Sequence, residues 1–311
     1  MSQDGYARFT METPRDELDQ LLDTAARWQT AGHRLAIATV VETWGSAPRR
    51  IGSHMLVRDD GAFEGSVSGG CVEGDIIVQA TEAIATGETR RLEYGVTQGQ
   101  AWEVGLPCGG NIAILVQPVS EAGFPPERFA AIAASRAAGE RLSITTELST
   151  GPFVRHYDPP LRLAIIGAVH IAQALVPMAA MLGYRTLLID PRAAYATPER
   201  FPGTILDTGW PDEALAAWKP DAGSAVITLA HDPKLDDPAL SLALASPAFY
   251  IGALGSTRSH AKRIERLAAA GLAPEALARI HGPVGLPIGA ATPAEIALSI
   301  MAGITAAWRK R

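Results

Sequence analysis

From residue 160 onward, short and continuously apolar runs alternate with segments of helical spacing, and this alternation constrains the fold more than any other feature of the chain. The apolar runs fall at 161–166, 186–189, 225–229 and 249–251, and the helical segments at 171–182, 212–218 and 238–245. A strand that is apolar on both sides must be covered on both faces, which calls for a parallel sheet with helices above and below it. The expectation is a Rossmann-like, doubly wound α/β domain. Its last helix should open at Thr292-Pro293-Ala294-Glu295, a capping box with proline in the first helical position, and run towards Trp308.

The first half follows another rhythm. Thr13 can cap a helix with Pro14 in its first turn, and Leu18, Leu21, Leu22, Ala25 and Trp28 recur on one face until Gly32. Strands are expected at 35–43 and 53–58, then a tight turn at Asp59-Asp60-Gly61 and a strand over 62–67. Val72, Ile76, Ile77, Ala80 and Ile84 are spaced for a helix that stops near Gly87, and 111–117 reads as a further strand. Mixed in this order, strands and helices imply an α+β domain rather than repeated βαβ units. Asp158-Pro159-Pro160 can continue neither a helix nor a central strand, which sets the boundary. The expected division is an α+β domain over 1–158, connecting segment included, and the Rossmann-like domain over 159–311. A length of 311 residues, beyond the usual span of one core, agrees with two domains.

Composition removes several classes. Apolar residues at 47% and charged residues at 19% exclude a disordered or coiled-coil chain. A net charge of −6, from 27 basic and 33 acidic residues, argues against nucleic acid as a partner. No apolar run approaches the roughly 20 residues that cross a bilayer, and the polar stretch 1–15 lacks the apolar centre of a secretory signal. A cytoplasmic protein without a membrane partner is therefore expected. Two cysteines make no disulfide framework; in a reducing compartment each is buried, reactive or a ligand.

Both cysteines adjoin glycine pairs. In Ser66-Val67-Ser68-Gly69-Gly70-Cys71-Val72-Glu73 the glycines let a ligand approach backbone N–H groups, and the following helix start adds unpaired donors and a positive dipole end. An anion would sit well there, and Cys71 would favour the thiolate that attacks, carries sulfur or binds a soft metal. Against this stands a plainer reading in which Cys71 is one more small buried hydrophobe. Cys108, in Gly105-Leu106-Pro107-Cys108-Gly109-Gly110, repeats the pattern, and two such thiols in one domain suggest a shared site. Zinc is discounted for want of spaced ligands. The turn Trp44-Gly45-Ser46-Ala47-Pro48-Arg49-Arg50 offers arginine donors, Arg50 among them, for a phosphate or carboxylate and an indole for stacking, or else is a solvated basic turn.

In the second half, Gly167 and Ala172 match the first and third positions of a dinucleotide fingerprint that includes His170, but Val169 fills the second, where the backbone should approach a pyrophosphate. Asp190, with Arg192 just after it, stands where an acidic residue would hold a ribose. The fold is thus expected without the ordinary route to NAD. Gly255, Ser256 and Arg258 follow a strand and could hold an anionic group, or serve only as a connection.

Taken together, these stretches resemble the XdhC/CoxI family of accessory proteins for molybdenum hydroxylases such as xanthine dehydrogenase. The resemblance rests on 44–49, 65–73, 106–110, 190–192, 252–256, and 282–289 with 292–296, and spans nearly the whole chain. It implies a small XdhC/CoxI domain ahead of a Rossmann domain, and a chaperone rather than an enzyme. Such a chaperone holds a molybdopterin-type cofactor, in mononucleotide or dinucleotide form, while a cysteine desulfurase supplies the sulfido ligand, then delivers it to an apo molybdenum hydroxylase. The implied contacts are Cys71 and Cys108, with Ser68, Gly69, Gly70, Glu73, Gly109, Gly110 and Arg50 around them. The second-half candidates are Gly167, His170, Asp190, Arg192, Gly255, Ser256 and Arg258. Val169 departs from the family's loop, which is similar to G-A-G-H. A homodimer would suit a composite site. Rival readings are an NAD(P)-dependent oxidoreductase, favoured by Asp190 and the doubly wound sheet, and a docking protein that never touches cofactor.

Overall fold

A computed structural model describes residues 16–45, 49–95 and 110–310. They form two compact units, Glu17–Pro159 and Pro160–Arg311. The first contains α1 (Glu17–Thr30), β1 (Leu35–Trp44), β2 (His54–Arg58), β3 (Phe63–Gly65), α2 (Glu73–Thr86), β4 (Arg90–Tyr94), β5 (Asn111–Pro118), α3 (Glu127–Ala138), β6 (Leu142–Leu148) and β7 (Gly151–Tyr157). Thr13 and Pro14, the expected start of α1, lie outside the described residues. β1 to β5 form an antiparallel sheet in the order β3-β2-β1-β5-β4.

The alternation of β1 decides what covers each face. Ala36, Ala38 and Val40 meet Ile76, Ala80 and Ala83 of α2. Leu35 and Ile37 point the other way, onto Leu21, Leu22 and Ala25 of α1 and Phe129 and Ile132 of α3. Each such fully buried aliphatic side chain contributes roughly 1.5–3 kcal/mol. Gly87, at φ 78°, ends α2 in the left-handed conformation. The small residues of β1 let α2 approach closely, so its first turn is held firmly against the sheet.

The second unit contains β8 (Arg162–Ile166), α4 (His170–Met181), β9 (Arg185–Ile189), β10 (Ile205–Asp207), α5 (Pro211–Trp218), β11 (Ser224–Thr228), α6 (Pro233–Ala245), β12 (Tyr250–Ala253), α7 (Thr257–Ala269), α8 (Pro274–Leu277), β13 (Ile280–His281) and α9 (Pro293–Arg309). The strands are all parallel in the order β10-β9-β8-β11-β12-β13. Counted within the unit this is 3-2-1-4-5-6, the Rossmann order. Ala164, Ile166 and Val226 face one core and Leu163, Ile165 and Ile227 the other, as strands covered on both sides require. The α9 capping box is present, with the Thr292 hydroxyl accepting from the Glu295 N–H.

One helix differs from expectation. α6 begins at Pro233, capped by the Asp232 carboxylate that accepts from Lys234, and Pro238 lies inside it. The earlier proline takes the first helical position, where no intrahelical N–H is needed. Among the described residues, no helix is long and apolar enough to cross a membrane.

Candidate functional site

Three motif-bearing stretches meet at one end of the first sheet. Trp44, the last residue of β1, is the register partner of Asn111, the first of β5. The turn that leaves β1 and the chain that enters β5 after Gly110 are therefore adjacent. Arg49 donates from Nε to the Ser66 carbonyl at 3.1 Å, and also pairs with Glu17. This ties the arginine turn to the start of the cysteine loop. Tyr94, at the end of β4, donates to Asp75 Oδ2 at 2.6 Å. Asp75 is in the first turn of α2, so the helix start that follows Cys71 is joined to the strand end beside β5. A cavity of about 410 Å³ opens there, lined by Trp44, Glu93, Tyr94, Gly95, Asn111 and Ile112.

The cysteine loop itself is built around a carboxylate. Glu73 Oε1 accepts from the N–H groups of Val67 at 3.2 Å, Ser68 at 2.8 Å and Gly69 at 3.1 Å, and from the Ser66 hydroxyl at 2.6 Å. Oε2 accepts from Gly70 N–H at 2.8 Å and from the Ser68 hydroxyl. Ser68 Oγ in turn accepts from Cys71 N–H at 2.9 Å and Val72 N–H at 3.0 Å. Burial opposes ionisation of Glu73, but the hydroxyls of Ser66 and Ser68 and the loop N–H groups bring its carboxyl down to about 2.

This corrects the reading of the loop as free donors waiting for an anionic ligand. The cradle exists, and the protein's own carboxylate fills it, because the first residue of α2 lies where a helix start most favours negative charge. Glu73 and Ser68 are buried, so their immediate task is to shape the loop. What the loop presents outward is Cys71, which is exposed, contrary to the reading of a buried hydrophobe. Arg50 is exposed as well. Gly110 is buried, while Cys108 and Gly109 lie outside the described residues. His54, close to the arginine turn in sequence, belongs to the core: its ring meets Thr39 Oγ1 at 2.9 Å and Tyr157 Oη at 3.1 Å. Burial, aided by Arg155, holds it neutral down to about 3.

In the second unit the candidates gather beyond the carboxyl ends of the parallel strands. Asp190 is fully buried and accepts from Ala168 N–H at 2.8 Å, from Arg192 N–H at 3.0 Å, and from the Arg192 guanidinium at 2.8 and 2.7 Å. Despite burial, these donors hold its carboxyl below the usual carboxylate range. The carboxylate expected to receive a ribose is thus committed to its own loop. Arg192 also lies over the Tyr195 ring at 4.1 Å. His170 is exposed at the start of α4, Ser256 caps α7 by accepting from Ser259 N–H at 3.1 Å, and Arg258 is exposed. Gly167 has φ 105°, and a Cβ there would stand 2.8 Å from Ala230 N. Gly167→Ala is expected to lower stability by about 2 kcal/mol, read from a chemical denaturation midpoint, through strain and crowding together.

Sequence reasoning singled out the arginine turn but missed Arg49 as the residue that ties it down. Tyr94 and Asp75 carried no motif. A third omission is Asp236 with Arg263, buried and 3.7 Å apart beneath the loop after β12. A charged pair in otherwise amphipathic helices gives no sign of burial until the packing is known.

An antiparallel α+β unit with an exposed cysteine on a carboxylate-filled loop, followed by a Rossmann unit, defines a two-part accessory-type chain. Residues 28–95 match the XdhC and CoxI family and residues 163–304 the XdhC Rossmann domain. The chain belongs to the XdhC and CoxI family. It is 31% identical over 302 residues to the molybdenum cofactor insertion chaperone PaoD of Escherichia coli (strain K12), covering 93% of this chain and 88% of that one. It is 28% identical over 309 residues to a probable xanthine dehydrogenase component of Bacillus subtilis (strain 168), covering 86% and 91%. The crystal structure of a xanthine dehydrogenase from Bacillus halodurans superposes with a TM-score of 0.82 at 26% identity, covering 95% of this chain and 96% of that one.

Proposed function

We propose that this chain is a molybdenum cofactor insertion chaperone that holds a molybdopterin-type cofactor as cargo at the cysteine end of its first sheet. The observation that carries the reading is the exposed Cys71 on a rigid loop, joined through Arg49 and Tyr94 to the two other motif-bearing ends. Family membership and the relative named as an insertion chaperone supply the class.

The donor set suits this cargo in part. A phosphate-bearing pterin that carries molybdenum on a dithiolene calls for a soft ligand, positive charge and a flat apolar surface. Cys71, with Cys108 two residues ahead of Gly110, is the soft donor; Arg50 supplies charge; half-exposed Trp44 offers a stacking face. The loop N–H groups do not contribute, since Glu73 occupies them. With a loop fixed from within, the thiol stays in place while the cargo comes and goes, which is what handing over demands. The partners are an apo molybdenum hydroxylase, as recipient, and a cysteine desulfurase that works on the held cargo. A homodimer would let two copies share one guest.

Anaerobic purification from a host that makes the cofactor, followed by pterin fluorescence of the extract, tests this reading. Pterin in constant ratio to protein is expected; a docking protein that never touches cofactor would yield none. The oxidoreductase alternative rests on the Rossmann order alone. With Val169 at the second fingerprint position and Asp190 engaged by Arg192, titration with NADH is expected to show no micromolar complex. Saturation in that range would favour the alternative.

A further inference from the structure

We infer that the Rossmann unit carries a separate binding site for a small aromatic acid, between α4 and the chain that enters β10. A cavity of about 300 Å³ lies there. Val176, Pro177 and Ala180 of α4 form one wall, and Tyr184, Phe201 and Pro202 the other. Thr186 and Thr204 stand near the beginnings of β9 and β10, and the α4 residues run into its carboxyl-terminal half. The cavity is therefore at the opposite end of the parallel strands from Gly167, Asp190 and Gly255, and is not the nucleotide crevice of the fold.

Two polar groups mark it as more than a packing flaw. Thr186 lines the cavity, is about nine-tenths buried, and its hydroxyl has no hydrogen-bond partner among the described residues. A buried hydroxyl without a partner is uncommon in folded proteins and calls for one. Arg200 also lines the cavity, with its guanidinium 5.3 Å from the Phe201 ring. It donates to the Tyr195 carbonyl and has no carboxylate partner among the described residues. An apolar chamber with one orphan hydroxyl and one guanidinium lacking a counter-charge matches a flat ring ending in a carboxylate. Size agrees: an apolar cavity of roughly 150 Å³ accepts benzene, so about twice that volume accommodates a substituted ring.

The probe is benzoate, with neutral benzamide as its isostere, followed by ligand-detected NMR and calorimetry on the full chain. Benzoate is expected to bind at millimolar concentration or below. Arg200→Gln should weaken benzoate by about tenfold or more while leaving benzamide unchanged, the loss expected for one charge-assisted hydrogen bond. Thr186→Val should weaken both. Ala180→Phe, which fills the chamber from a half-buried helix position, should abolish both. The inference is overturned if the unsubstituted chain binds no benzoate, or if Ala180→Phe binds it normally. It is equally overturned if Arg200→Gln leaves benzoate unaffected, or if Ala180→Phe changes only the oligomeric state, which would make the chamber a contact between copies. None of these outcomes bears on cofactor retention at Cys71.

Discussion

Glu73→Gln is expected to lower the unfolding free energy by about 3 kcal/mol and to release the cysteine loop. Glutamine keeps the shape but exchanges an acceptor oxygen for an NH₂ group, which cannot receive the N–H and O–H donors now aimed at both oxygens. Hydrogen bonds to a charged acceptor each contribute roughly 1.5–3 kcal/mol, and buried donors left without an acceptor add a penalty. The pH dependence follows from the same contacts. A folded-state carboxyl at about 2, against an ordinary 4.5, gives stability that is present above pH 4.5 and lost as pH falls towards 2. Acid denaturation should show this loss in the natural chain and not in Glu73→Gln. Urea midpoints measured at intervals from pH 6 down to pH 3 would check it. Equal stability of the two chains at neutral pH would mean that the carboxylate does not organise the loop.

A change of comparable size is expected in the second unit from Arg263→Met. Asp236 and Arg263 are 2% and 4% exposed, and Asp236 Oδ1 with Arg263 Nε and Nη1 lack hydrogen-bond partners among the described residues. Burial pushes the Asp236 carboxyl up to about 7, and Arg263 is what opposes that rise. Removing one member of a buried pair usually costs about 3–5 kcal/mol, because the other charge is left uncompensated, whereas apolar replacement of both is often neutral. Arg263→Met should therefore destabilise by about 3 kcal/mol near neutral pH, and Asp236→Leu combined with it should restore most of the loss. With the folded value raised above the unfolded 3.8, the contribution of Asp236 is greatest below pH 3.8 and falls as pH rises through the folded value. The deficit of the single variant should accordingly shrink in acid. Thermal or urea unfolding of the set, at pH 4 and pH 8, decides it; additive losses in the double variant would show that the two residues do not act as a pair.

The Rossmann unit was largely legible in the sequence because strands such as 161–166 and 225–229 are apolar on both faces, a pattern that few other architectures use. The first unit was legible where one face is apolar, as in β1 and α2. β4 escaped notice because Arg90, Arg91 and Glu93 give a sheet-edge strand the look of a solvated loop. The hairpin of β6 and β7 alternates exposed with half-buried residues, a weaker signal than full burial. α3 is rich in alanine, which favours a helix without outlining a face.

For the site, local sequence revealed which loops matter but not what fills them. The glycines and cysteine of 68–71 identify a loop whose backbone donors converge. That they converge on Glu73, only a few residues ahead, depends on how α2 docks against β1, and this is a tertiary fact. Asp190 teaches the same lesson, since its position beside Arg192 in sequence already supplied the partner that now occupies it.

The exposed thiol of Cys71 is the point where the proposed cargo is held, and its removal is the most direct test. Cys71→Ala and Cys108→Ala chains, purified anaerobically from a cofactor-producing host and shown by circular dichroism to be folded, should be assayed for molybdenum and pterin per protein. Loss of most of both from Cys71→Ala is the predicted result; full retention by the folded variants, singly and combined, would contradict it.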